Sequence, residues 1–271
     1  MKPLSNTAFY CCGLRMQDAE SEKPLCEDQY AKYFMDGRGL SILHTFFDEK
    51  KPNAANVARH RLIDDFLRRE LELNPQLQVI LVGAGFDSRA YRLHGGHWLE
   101  LDEPKIIEYK NACLPVENCG NALQRIAIDF DKETLLEKLQ PYQTEQPVIL
   151  VFENVFVYLS EPMIKQNLQT IQAVFPQHKL VCDLMSSTFL KKYSRSLQHK
   201  CGELGAGFKF FSRKPSKLFL KSSYQLLEKY SIIGKAIEHG TLKLPKFIFK
   251  TLLGTLEKGY AIYVFESRCR L

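Results

Sequence analysis

The 271-residue chain has no apolar run approaching the roughly 20 residues that a membrane-spanning helix requires. Its opening, "MKPLSNTAFYCCGL", lacks the apolar core of a secretion signal, so a soluble cytoplasmic protein that meets no membrane is expected. Repeats and low-complexity linkers are missing as well. The eight cysteines (Cys11, Cys12, Cys26, Cys113, Cys119, Cys182, Cys201 and Cys269) form no CxxC pair and no zinc-like spacing. That argues against a disulfide scaffold and leaves reduced thiols, mostly buried. Cys11 and Cys12 are adjacent, which permits redox chemistry or simple packing. With 45% hydrophobic and 25% charged residues, the composition is that of a folded globule.

Charge is present but unevenly spread. The net value is +6, yet Ser186 to Leu271 holds 17 Lys and Arg against 5 Asp and Glu, and the remainder holds 20 against 26. Such polarity either attracts an acidic substrate or partner or marks a solvated surface. In "KLPKFIFKTLLGTLEK" the basic residues alternate with apolar ones as on an amphipathic helix. No RNA- or DNA-binding signature accompanies them, so nucleic acid is not an expected partner.

Through about Leu73 the chain reads as helical: "DQYAKYFM", "GLSILHTFFDE" and "NVARHRLIDDFLRREL" repeat apolar residues at helical intervals. Beyond "NPQ" the rhythm changes. "LQVILVGA", "HWLELD", "ALQRIAIDF", "QPVILVFEN" and "HKLVCDLM" read as strands, separated by helices starting near Arg89, Pro104, Lys132 and Glu161, the last with Ser160 as N-cap. Strand and helix in alternation imply an α/β fold with a doubly wound, mostly parallel sheet. "SYQLLEKYSII" and "GYAIYVFESR" add a pair with antiparallel character, for seven strands. One domain is expected, with an N-terminal helical segment (1–74), a cofactor-binding core (75–185), a cap or substrate segment (186–223) and closing strands with a helix (224–271).

The chemistry concentrates at strand ends. In "VILVGAGFDSRAYRL" an aliphatic run stops at Gly83 and Gly85, whose missing Cβ atoms allow a sharp turn and close approach of a ligand. A dinucleotide fingerprint would need glycine where Ser88 stands, and Asp87 would compete with a phosphate for the backbone donors of the turn. A ligand with a cationic centre tolerates that carboxylate, a description that suits S-adenosylmethionine. Asp102, ending the second strand, can accept from both ribose hydroxyls or cap the helix before Pro104. Asp129 can take the adenine amino hydrogens beside Phe130, or cap "KETLLEKL". Glu153 follows five apolar residues and needs a cation or donor opposite it. His94 and His97 in "LHGGHW" lie in a glycine-marked loop with no further ligand arranged around them, so no metal site is expected.

These segments, in this order, resemble the leucine carboxyl methyltransferase family, which includes bacterial polyketide O-methyltransferases and a tRNA-modifying methyltransferase of carboxymethyl groups. The likeness rests on "GAGFDSRAYRL", "ELDEPKIIEYK", "FENVFVYLSEP" and, upstream, "RMQDAESEKPLCEDQYAKYF". It implies a Rossmann-like methyltransferase sheet and places Arg59 on the cofactor carboxylate and Gly83 on its amino-acid part. Asp102 would then hold the ribose, Asp129 with Phe130 the adenine, and Glu153 the amino group, with Tyr158 facing the acceptor. Without the likeness, Arg59 reads as an exposed helix charge. Asn154 departs from the small residue common after the glutamate, and "EDQYA" from the common "DDPYA".

The expected activity is in-line transfer of a methyl group to an oxygen, a carboxylate of a small molecule or peptide being the leading acceptor because it is already ionised near neutral pH. Arg15 or Arg89 would orient that acceptor or serve as a salt-bridge partner; a hydroxyl acceptor would need a base that the sequence does not name. Two other readings are a catalytically inactive cofactor-binding fold that docks a partner through its basic C-terminal part, and a nicotinamide-dependent oxidoreductase, against which Ser88 counts.

Overall fold

The computed structural model describes residues 6–243 and 254–268. Three helices come first: α1 (Asn6–Ala19), α2 (Gly37–Thr45) and α3 (Lys50–Leu73). Then follow β1 (Gln78–Val82), α4 (Arg89–Arg92), β2 (His97–Asp102), α5 (Pro104–Cys113), β3 (Ala122–Ala127), α6 (Leu135–Leu139), β4 (Val148–Phe152), α7 (Glu161–Val174) and β5 (His178–Met185). After β5 come α8 (Ser187–Tyr193), α9 (Arg195–Glu203), α10 (Ser216–Lys221), β6 (Tyr224–Ser231), α11 (Ile232–Glu238), α12 (Gly254–Gly259) and β7 (Tyr260–Ser267). The amphipathic segment "KLPKFIFKTLLGTLEK" lies mostly outside the described residues, and Cys269 lies wholly outside them.

The seven strands form one sheet in the order β3-β2-β1-β4-β5-β7-β6. The first five pair in parallel, and β7 runs antiparallel to both β5 and β6. This is the doubly wound, mostly parallel arrangement expected from the alternating segments. Because β1 pairs with β2 on one side and β4 on the other, the winding reverses there, and a crevice opens at the carboxyl ends of those strands.

Both faces of the sheet are covered, which is why its central strands are continuously apolar rather than alternating. Val79, Leu81, Ile149, Val151, Val181 and Val264 point toward the N-terminal helices and α11. Ile80, Val82, Leu150, Leu180 and Phe265, one residue out of phase, meet Ile164, Leu168 and Ile171 of α7 and Phe219 of α10. Two local expectations change. "KETLLEKL" starts its helix at Leu135, because Thr134 and Glu137 form a reciprocal capping box, so Asp129 is no helix cap. Segment "DQYAKYFM" yields only a 3₁₀ turn, Ala31–Phe34.

Candidate active site

The carboxyl ends of β1 to β4 carry a row of half-buried residues, above strands that are closely packed in β1 and β4 and partly exposed in the edge strand β3. Gly83, Gly85, Asp102, Asp129 and Glu153 all belong to it, with Phe130 at the rim, 38% exposed. Gly83 (φ +70°) and Gly85 (φ +50°) occupy the left-handed region. The space their missing Cβ atoms leave is taken by protein rather than left for a ligand. At Gly83 a Cβ would lie 2.7 Å from Val155 Cγ2, and at Gly85 3.3 Å from the Ala8 Cβ of α1. What the turn offers a ligand is therefore backbone. Asp102 organises it, accepting from the Gly85 N–H at 2.6 Å and the Glu103 N–H at 2.7 Å. Burial pushes its carboxyl up to about 6, against the pull of those two donors. Asp102 does not cap α5: Glu103 is the residue at that position, and its side chain makes no cap bond. Asp129 accepts from the Asp131 N–H at 3.2 Å and lies 3.3 Å from Lys132 Nζ.

Beneath the turn lies a buried ion network in which Arg15, Arg59, Arg89 and Arg92 face Asp28, Asp64, Asp87 and Glu153. Arg89 has no exposed surface. It bonds Asp64 at 2.5 Å, Glu153 at 2.8 Å, His60 Nδ1 at 2.7 Å, and Asp87. Arg15 pairs with Asp28 at 2.8 Å and donates to the Phe86 carbonyl at 2.6 Å, and Ser88 Oγ donates to the same Asp28 at 2.5 Å. Burial alone would raise the pKa of Glu153; Arg89, His60 and Arg59 outweigh it and hold the carboxyl well below the ordinary range. His60, Asp87 and Glu153 approach closely enough to suggest a metal triad, but Arg89 contacts all three and makes the cluster guanidinium-centred.

Arg59 links this network to a cavity of about 450 Å³. It is 3% exposed, which excludes the exposed helix charge. Its Nε donates to Glu153 at 2.9 Å and its Nη1 to the Tyr260 hydroxyl at 2.9 Å. Tyr260 in turn donates to Asp183 at 3.1 Å, and Asp183 accepts the Asn154 N–H at 2.5 Å. Asn154 takes φ +57°, a conformation asparagine tolerates, and this explains its place after Glu153. Its amide reaches the Tyr158 hydroxyl at 3.3 Å, and burial holds that phenol well above its ordinary pKa, so it stays protonated. Tyr158, Arg59, Asn154 and Asp183 thus share one wall, while Phe189 and Leu197 of α8 and α9 supply an apolar one.

Of the residues expected to meet an acceptor, the structure brings Tyr158 to the cavity and leaves Arg15 and Arg89 in the packed interior with their donors engaged. Asp183, Tyr10, Asn56, Cys201 and Tyr260 on the cavity wall went unread in the sequence. Asp183 alone gave a signal: in "HKLVCDLM" it is a carboxylate within an apolar strand, the feature that singled out Glu153.

A family model described as leucine carboxyl methyltransferase matches residues 11–172. A Mycolicibacterium smegmatis protein, provisionally named an S-adenosyl-L-methionine-dependent methyltransferase, is 28% identical over 173 residues, 58% of each chain. A Mycobacterium ulcerans protein of like name is 32% identical over 138 residues, 47% of this chain and 45% of that one. The chain thus spans about half the length of the curated relatives it matches. Among solved structures, a DUF574-family protein from Streptomyces avermitilis superposes with a TM-score of 0.60 at 11% identity, covering 93% of this chain and 99% of the other. Magnesium protoporphyrin IX methyltransferase from Synechocystis, with bound S-adenosylhomocysteine, gives 0.51 at 13% identity, covering 89% and 94%. These two likenesses show the fold. The family match covers more than half of the chain and runs through the glycine turn, Asp102, Asp129 and Glu153: the chain belongs to the leucine carboxyl methyltransferase family.

Proposed function

We propose that the protein transfers a methyl group from S-adenosylmethionine to an oxygen of a small-molecule or peptide acceptor held in the apolar cavity. The observation that carries the reading is Arg59, which touches Glu153 at the strand-end row and forms part of the cavity wall, so that the two sites meet at one side chain. The residues fit the cofactor's shape. Asp102 keeps acceptor capacity for vicinal ribose hydroxyls after binding the turn, Asp129 and the exposed ring of Phe130 suit a purine, and Gly83 with Gly85 offers backbone to the amino-acid part. Glu153 and Arg59 are opposite charges that match an ammonium and a carboxylate.

The cofactor supplies an electrophilic methyl group. The protein's own work is to align the acceptor oxygen and exclude water, which gives proximity and orientation the main share. Tyr158, held neutral, donates a hydrogen bond to the acceptor. Arg15 and Arg89 serve as positioning residues: the first fixes the Phe86 carbonyl of the turn, the second ties Asp87 to Glu153. A carboxylate acceptor is favoured by the basic side chains Arg59, Lys51 and Lys192 on the cavity wall. One observation supports a second reading, a hydroxyl acceptor: Asp183 is the only carboxylate among the described residues of that wall, and burial raises its pKa toward that of a useful base. Turnover of labelled cofactor with panels of carboxylates and alcohols, on wild type and Asp183→Asn, tests both. Retained turnover of carboxylates in the variant supports the first reading, selective loss on alcohols supports the second, and no turnover on any acceptor removes the methyl-transfer proposal.

A further inference from the structure

A second depression lies outside the site described above. It is a groove of about 1110 Å³ between α7, α10 and the outer ends of β6 and β7. Its walls carry Lys165, Arg213, Lys214, Lys217, Lys221 and Arg268 and, among the described residues, a single carboxylate, Glu161. Glu161 is already paired with Lys165 at 3.1 Å. Among the described residues none of the other five cations has an ion-pair partner, and all five are exposed. Most cations elsewhere along the sheet and α3 pair with carboxylates, so this concentration of unbalanced charge is local. Like charges gathered in one concave surface repel one another and focus a positive potential outward, which an anionic occupant relieves.

We propose that this groove docks an acidic polypeptide segment of a partner protein. A polypeptide fits better than a nucleic acid strand. Single strands are gripped by stacking bases on exposed rings, and among the described residues of the groove wall the one aromatic, Phe210, is only 6% exposed. Carboxylate side chains need no such platform; they pair with lysine and arginine at a polar rim. Phe210 also forms part of the wall of the 450 Å³ cavity, so the groove and the cavity are separated by one residue. Lys209 and Phe210 both donate their backbone N–H to the Val157 carbonyl, at 2.8 and 3.2 Å, next to Tyr158. A docked segment therefore sits directly behind the wall that faces the acceptor. The proposal stands independently of methyl transfer, because binding is read without turnover.

The test is fluorescence anisotropy with a labelled oligo-glutamate peptide, an oligo-glutamine peptide and an oligouridylate of equal length, titrated with the whole protein over a range of salt. Arg213→Glu/Lys217→Glu/Lys221→Glu reverses the groove, and Lys23→Glu/Lys32→Glu/Lys243→Glu reverses the same number of exposed charges elsewhere. All six positions are exposed, and unchanged thermal midpoints verify the folds. The expected result is salt-sensitive binding of oligo-glutamate that the groove variant weakens at least about tenfold and the control variant leaves within about twofold. Equal weakening by both variants, tighter binding of the oligouridylate, or no binding of oligo-glutamate would each overturn the proposal.

Discussion

Gly83 is fixed by a neighbour as well as by its own backbone. Its φ of +70° costs an alanine about 1–3 kcal/mol, and the added Cβ would press on Val155 Cγ2 at 2.7 Å. Gly83→Ala is expected to lower the urea midpoint clearly; adding Val155→Ala relieves the contact and restores part of the loss, leaving the backbone strain. An unchanged midpoint for the single variant would contradict this account of the turn. At Asp102 the expected pH effects have opposite signs. Its carboxyl, raised to about 6, is ionised at pH 7 and takes a proton as the pH falls through 6. The native state prefers the protonated form, so this group's contribution to stability is lost as the pH rises through about 6. The charged acceptor proposed for a ribose, however, is present only above that value. Adenosyl-ligand affinity should fall between pH 7 and 5 in the wild type, and Asp102→Asn should bind more weakly at pH 7 with no such fall. Parallel pH profiles for the two proteins would place the titrating group elsewhere.

Among the elements, β2 and its neighbours depend on one buried carboxylate. Glu100 meets Lys110 of α5 at 2.8 Å and Arg125 of β3 at 2.9 Å, all three without exposed charge. Glu100→Ala would leave two buried cations unpaired, and a loss of about 3–5 kcal/mol in denaturant unfolding is expected. A loss under about 1 kcal/mol would show that the cations find other partners. Neither this trio nor the arginine network could be read from the chain, because pairs such as Arg59–Glu153 and Arg15–Phe86 join distant segments. The strands were legible for the opposite reason: runs such as "VILVF" carry their burial locally, and the row of strand-end residues followed from where those runs stop. Asp87 shows the limit of local reasoning. Its carboxylate suggested a repelled phosphate, whereas in the fold it is half of an ion pair with Arg89.

At the scale of the molecule, the parts that meet at the cavity come from opposite ends of the sequence. Tyr10 of α1, Asn56 of α3, Asp183 of β5, Leu197 of α9 and Tyr260 of β7 all face it. The family match ends at residue 172, before Asp183, Leu197 and Tyr260, so the residues proposed for the cofactor lie within the shared segment and much of the wall proposed for the acceptor lies outside it. That division explains why the sequence named residues for a cofactor and few for an acceptor. The residues proposed for the cofactor can be tested without an acceptor. The most direct test is calorimetric titration of the protein with S-adenosylhomocysteine, and separately with NAD, before and after Asp102→Ala. Saturable binding of the adenosyl ligand, at least about tenfold weaker in the variant, and no binding of NAD are expected. Binding of NAD instead, or adenosyl binding that Asp102→Ala leaves unchanged, would contradict the proposed cofactor site.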